Sequence, residues 1–67
     1  MYQKQLLKAM LVAHNSSAKE LTSVINKSID AVYKKMNGST EFTREELSRI
    51  KEHYNLTVDE MSAIFFA

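Results

Sequence analysis

The sequence contains no cysteine and no proline, has a single glycine, and holds no run of apolar residues long enough to span a membrane. Without cysteine, neither a disulfide nor a thiolate metal site supplements the core. Without proline, and with Gly38 alone to break regular structure, helices are expected to dominate. The lone glycine also excludes a glycine-rich phosphate-binding loop. Because no segment reaches about 18 apolar residues, we expect no membrane partner.

The length of 67 residues allows one domain, residues 1–67, near the lower size limit for independent folding. The hydrophobic fraction of 45% and the charged fraction of 25% are typical of a small globular domain. A short apolar run follows two lysines near the start, as in a signal peptide, but Gln5, Lys8 and His14 favour an amphipathic helix. We therefore expect a cytoplasmic protein.

The charge is unevenly distributed along the chain, although the formal net charge is only +1. Residues 1–35 carry six lysines and two acidic residues, a net charge of +4. Residues 36–67 carry three basic and six acidic residues, a net charge of −3. One basic end would orient the molecule toward a polyanion. The same charge distribution would also result if two solvent-exposed faces simply happened to differ in charge.

Apolar spacing predicts a first helix from about Tyr2 to Ala13, with its inward stripe at Leu6, Leu7, Met10 and Leu11. Capping residues mark the later helix starts. The spacing Ser/Thr-x-x-Glu, typical of a capping box, occurs three times, at Ser17/Glu20, Thr43/Glu46 and Thr57/Glu60.

The second and third predicted helices lie close together along the chain. Asn26 tolerates the left-handed conformation that ends helices, and Ser28 is a natural N-cap for the third. Asn37-Gly38 ends the third helix and Asn55 ends the fourth. We expect an all-α domain of five short helices around one core, in which the second and third form a helix-turn-helix.

The segments that carry this pattern are "SAKELTSVINKSIDAVYKKMNG" and "MNGSTEFTREELSRIKEHYNLTVDEMSAIFF". They resemble the small XRE-type helix-turn-helix regulators of the phage repressor/Cro class. The first segment is similar to the two-helix core of that family, and the second to the tail of a phage-encoded branch. The resemblance implies a five-helix DNA-binding fold and a sequence-specific transcriptional regulator whose partner is an operator in double-stranded DNA.

Two sets of candidate DNA contacts follow from the resemblance. In such domains the third helix faces base edges in the major groove, and flanking groups contact phosphates. The implied base-facing residues are Ile29, Asp30 and Tyr33, with Lys34 near the edge of this set, where it could also contact phosphate. The implied phosphate-facing residues are Ser17, Lys19, Lys27, Lys35, Ser39 and Thr40. For Asp30 a second interpretation stays open, since an acidic residue in a first helical turn also stabilises the helix dipole.

An alternative interpretation keeps the fold and changes the partner. An apolar third helix with lysines at its rim is also typical of a protein interface, as in an antirepressor or modulator that binds a second phage regulator. The tail adds candidate dimer or partner contacts at Ile64 and Phe66, which a homodimer would cover. The alternative interpretation is that the tail folds back on the core of the same molecule and makes no such contact.

Catalysis, a cofactor and a metal site are not expected. His14 and His53 are the only histidines, and no carboxylate stands at ligand spacing from them. The acidic pairs Glu45-Glu46 and Asp59-Glu60 lie in predicted first helical turns, where the dipole favours them. A chain of this size also leaves little room for a substrate cleft.

Overall fold

The computed structural model describes residues 2–66, and in that range the chain forms helices and no β-strand. The all-α prediction with five α-helices is confirmed. After the last α-helix the chain continues in a π-helical segment, Ser62–Phe66. The helices are α1 Lys4–Ala13, α2 Ala18–Ile25, α3 Ile29–Met36, α4 Arg44–Tyr54 and α5 Val58–Met61.

Two of the three predicted capping boxes form. At the start of α4, the Thr43 N–H donates to Glu46 Oε1 at 2.9 Å and the Glu46 N–H donates to Thr43 Oγ1 at 3.1 Å. The start of α5 repeats this geometry between Thr57 and Glu60. The box predicted at Ser17 is wrong, because the Ser17 side chain makes no capping hydrogen bond. The spacing of Ser17 and Glu20 allows a capping box, but Glu20 instead contacts His53 on another helix.

Left-handed residues end the helices where the sequence predicts it. Asn26 and Asn55 have φ of 56° and 53°, and Gly38 has φ of 86°. Asparagine adopts this region more readily than most residues, and glycine does so without steric cost. Residues 26–28 alone join α2 to α3, so the predicted tight junction between these helices is confirmed.

One hydrophobic core joins the helices. The four largest fully buried side chains come one from each of the first four helices: Leu7, Leu21, Val32 and Ile50. Tyr2 lies outside α1 and stacks on Phe65, with ring centroids 5.9 Å apart. Its hydroxyl donates to the Met36 carbonyl at 2.8 Å, so the segment before α1 is held against the end of α3.

Two expectations about the apolar surface need correction. Leu6, predicted in the inward stripe of α1, is 44% exposed, because it lies about 100° around the helix from buried Leu7. Ile64, expected at the surface, is buried. It lies three residues after Met61, in the segment that packs against α1. Its carbonyl accepts a hydrogen bond at 2.6 Å from the N–H of Gln3, which directly precedes α1.

Two classes of feature are missing from residues 2–66. No helix there has both the length and the apolar character needed to cross a membrane. Likewise, in that part of the chain, no three histidine, aspartate or glutamate side chains come together in a group that would hold a metal ion.

Candidate nucleic-acid interface

Helix α3 has distinct inner and outer faces. Val32 and Met36 lie in the core, four residues apart, and fix the rotation of the helix. Ile29 and Tyr33 consequently face outward, with 38% and 52% of their surface exposed. Asp30 and Lys34 are exposed as well. The structure therefore places all four predicted base-facing residues on the surface of one helix.

The start of α3 is fixed by a capping contact and by charge. The Ser28 hydroxyl accepts a hydrogen bond from the Ala31 N–H at 3.2 Å. Asp30 lies in the first turn and Lys34 in the last, the arrangement that the helix dipole favours at each end. Asp30 thus has a structural role whether or not it contacts a partner.

A shallow concave surface separates α2 from the start of α3, and we call it the α2–α3 groove. It is lined by Lys19, Thr22, Lys27, Ser28, Ile29 and Tyr33. Four of these residues were predicted as DNA contacts, two from each set. The groove therefore combines two lysines with two exposed apolar side chains on one surface.

Thr22 and Ser28 were not predicted as site residues. Thr22 lies one helical turn after Lys19, and its hydroxyl donates to the Lys19 carbonyl at 2.5 Å. The three-residue spacing on α2 was a signal for Thr22, since residues three apart share a helix face. Ser28 was recognised as an N-cap, and the structure adds that it also lines the groove.

The start of α2 is open to solvent beside this groove. Ser17 is exposed, and its hydroxyl does not satisfy the N–H groups of the first turn. Glu20 turns away from Ser17, and its Oε2 lies 3.0 Å from His53 Nε2 on α4. The hydrogen bond from His53 holds the pKa of Glu20 below its ordinary value of 4.5.

Lys35 does not belong to the exposed set, which corrects its predicted phosphate-facing position. It lies three residues after Val32 and shares the inner face of α3. Its Nζ is 3.0 Å from Glu46 Oε1 and donates to the Glu41 carbonyl at 3.1 Å. The Lys35 ammonium and the Glu46 carboxylate are both buried, so either charge would be strongly unfavourable without the other. This ion pair therefore holds Lys35 inside the protein.

Ser39 and Thr40 lie beyond the far end of α3. Their N–H groups donate to the Lys34 carbonyl at 2.9 Å and 3.3 Å. Both side chains are exposed, but Thr40 lines a separate depression together with Tyr2, Phe42, Phe65 and Phe66. We call this second depression the aromatic groove. Neither residue lines the α2–α3 groove, so the predicted phosphate-facing set does not form one cluster.

The tail contributes one exposed candidate contact. Phe66 is 63% exposed at the aromatic groove, whereas Ile64 is buried. The predicted dimer or partner surface therefore loses Ile64 and keeps Phe66.

Comparison with known protein families shows which family the chain belongs to. Residues 3–63, nearly the whole sequence, match the BetR domain. The chain belongs to the BetR domain family. No curated protein and no solved structure matches it.

The match to the BetR domain covers the helices that carry both candidate DNA-facing sets, since these residues run from Ser17 to Thr40. It stops before Ile64 and Phe66. The α2–α3 groove is thus part of the BetR domain itself, and the exposed aromatic end of the tail lies outside the matched range.

Proposed function

We propose that this BetR domain is a sequence-specific, non-enzymatic DNA-binding regulator in the cytoplasm, of the repressor/Cro-like class and of phage or prophage origin. It acts by occupying an operator in double-stranded DNA, with α3 in the major groove. The observation that carries the proposal is the α2–α3 groove, because it combines base-facing and phosphate-facing chemistry on two helices joined by three residues.

The outer face of α3 supports base contacts of limited kinds. The exposed Ile29 side chain suits a thymine methyl group, and the Asp30 carboxylate accepts from a cytosine amino group. The Tyr33 hydroxyl donates or accepts. None of the three makes the two-point contact that arginine makes with guanine, so direct readout would discriminate modestly at each base pair.

Cationic groups around this face support phosphate contacts. Lys19, Lys27 and Lys34 are exposed, and the start of α2 presents N–H groups that Ser17 does not cap. Each lysine that neutralises a phosphate steepens the dependence of log affinity on log salt by about 0.9. Binding by these groups would therefore weaken sharply as salt increases.

The test is a fluorescence anisotropy titration with duplexes selected from a random-sequence pool, at roughly 50 and 200 mM salt. Wild type is expected to bind the selected duplexes tightly at low salt and weakly at high salt. Lys19→Gln and Lys34→Gln should each lower the salt slope by about one unit. Lys8→Gln is the matched control, since it removes the same charge from α1, outside the two helices of the proposed interface. Absent or salt-insensitive binding would refute the proposal.

A second candidate function is binding to another regulator through the same face. Exposure of Ile29 and Tyr33 on a concave surface favours it, because apolar and aromatic anchors are typical of interface centres. Ala18 also stands at the start of α2, where the repressor/Cro-class regulators that the sequence resembles often carry a phosphate-anchoring glutamine. Salt-insensitive co-purification with a second phage regulator, abolished by Tyr33→Ala, would support this function over DNA binding.

A homodimer would extend the DNA-binding proposal. Two copies would place their α3 helices on successive major-groove faces about 34–36 Å apart, as paired half-sites require. The exposed Phe66 ring is the candidate contact between the copies. Sedimentation equilibrium of wild type and Phe66→Ser would measure this association.

A further inference from the structure

Glu46 uses its two carboxylate oxygens unequally. Oε1 accepts from the Thr43 N–H at 2.9 Å and pairs with Lys35 Nζ at 3.0 Å. Oε2 is buried and has no hydrogen-bond partner among residues 2–66. Lys27 Nζ lies 4.0 Å from Oε2. One oxygen of a buried carboxylate is therefore left with an electrostatic neighbour and no hydrogen bond.

The two lysines around Glu46 differ in freedom. The Lys35 side chain is 11% exposed and held by two acceptors, whereas the Lys27 side chain is 49% exposed. Lys27 also lines the α2–α3 groove, so its ammonium is within reach of both Glu46 and any ligand there. A long, flexible side chain of this kind exchanges partners at little steric cost.

We infer that Glu46 limits the affinity of the α2–α3 groove for nucleic acid by competing with phosphate for the ammonium of Lys27. This inference rests on the proposed function. When Lys27 contacts a phosphate, Glu46 Oε2 loses a cation that lay 4.0 Å away, gains no hydrogen bond and stays buried, which is unfavourable for a charged acceptor. Glu46 is a positioning residue in this scheme, since it acts through Lys27 and contacts no base or phosphate.

The decisive comparison is Glu46→Gln against Glu45→Gln. Both changes remove one negative charge from the first turn of α4, but Glu45 is exposed and pairs with Arg49 instead of Lys27. Glutamine also suits the third position of a capping box and still accepts from Lys35. Selected duplexes at low salt are expected to bind Glu46→Gln about two- to fivefold more tightly than Glu45→Gln, the range that an exposed ion pair supports.

Adding Lys27→Gln to each variant tests whether the effect of Glu46→Gln on affinity acts through Lys27. The excess affinity of Glu46→Gln should disappear in the Lys27→Gln background, because no ammonium remains to be released. An excess that persists without Lys27, or equal tightening by Glu45→Gln and Glu46→Gln, would overturn the inference. If Glu46→Gln does not fold, Lys27→Gln alone decides: it should cost less affinity than Lys19→Gln, and an equal cost contradicts the scheme.

Failure of this inference is distinguishable from failure of the proposed function. Wild type without salt-dependent binding refutes DNA recognition, and with it the competition. Wild type that binds, with additive effects of Glu46→Gln and Lys27→Gln, refutes only the competition. Carboxyl NMR titration without DNA tests the pairing by itself: Lys27→Gln should raise the measured pKa of Glu46, and an unchanged pKa would show that the two groups do not interact.

Discussion

The starts of α4 and α2 share the spacing Ser/Thr-x-x-Glu, yet only the start of α4 closes into a capping box. At α4, Thr43 and Glu46 satisfy each other's backbone donors. At α2, Glu20 pairs instead with His53, 33 residues away in the sequence. The same local chemistry thus has two outcomes, and the packing of α4 against α2 selects between them.

The closed start of α4 and the open start of α2 affect different lysines of the proposed interface. The closed box at α4 holds Glu46 in the interior, where it neutralises Lys35 and lies near Lys27. At the open start of α2, the N–H groups of the first turn receive no side-chain cap from Ser17, next to Lys19. An uncapped helix start costs stability and presents donors to an anion. In the proposed function, that anion is a phosphate of the DNA.

The largest effect on stability is expected from disrupting the capping box at the start of α4. Glu46→Ala removes the capping partner of Thr43 and leaves the Lys35 ammonium buried without its carboxylate. We expect the free energy of unfolding to fall by about 3 kcal/mol or more. Urea denaturation measures this change. Glu45→Ala is the control and should cost less than about 1 kcal/mol, because its pair with Arg49 is exposed. Similar costs for both would contradict the role assigned to Glu46.

A smaller effect should separate the serine and threonine residues of the three predicted capping boxes. Thr43→Ala and Thr57→Ala each lose a hydrogen bond to a first-turn N–H and should cost about 1 kcal/mol. For a domain of this size, that lowers the melting temperature by about 4–8 °C. Ser17→Ala should leave the melting temperature nearly unchanged, since the Ser17 hydroxyl caps nothing. A cost for Ser17→Ala equal to that of Thr57→Ala would show that the box at α2 closes in solution.

The smallest effect concerns the pKa of Glu20. Because the hydrogen bond from His53 holds this pKa below 4.5, the contact stabilises the fold above that pH. Its contribution is lost as the pH falls through the lowered pKa. His53→Gln should raise the pKa of Glu20 toward 4.5 in a carboxyl NMR titration.

Glu60 is the internal reference for that titration. Hydrogen bonds from the backbone and side chain of Thr57 hold the pKa of Glu60 low, and His53 is not among the causes. The pKa of Glu60 should therefore stay the same in His53→Gln. A shift of both carboxyls would indicate a general change in structure, and a shift of neither would contradict the Glu20–His53 contact.

The helical frame was predictable because local chemistry decides it. Ser28, Thr43 and Thr57 cap helices as expected, and Asn26, Asn55 and Gly38 end them in the left-handed region. The outward face of α3 was also predictable, since Val32 and Met36 set its rotation. These features depend on neighbours within four residues, where spacing alone defines the geometry.

The errors concern residues whose partners lie on other helices. Lys35 was predicted at the surface with the other lysines, but Glu46 on α4 draws it inside. Ile64 was expected to be exposed, but it is buried in the segment that packs against α1. For these residues the helical position permits either environment, and the neighbouring helix decides which one forms.

The sequence by itself determined where the helices start and stop, because caps and left-handed turns are local contacts between residues close along the chain. Only the tertiary structure decided the surroundings of each charged side chain: it paired Glu20 with His53, buried Lys35 on Glu46, and placed Lys27 both in the α2–α3 groove and near Glu46. The physical reason is that the state of a charged side chain depends on its solvation and its nearest opposite charge, which distant segments supply.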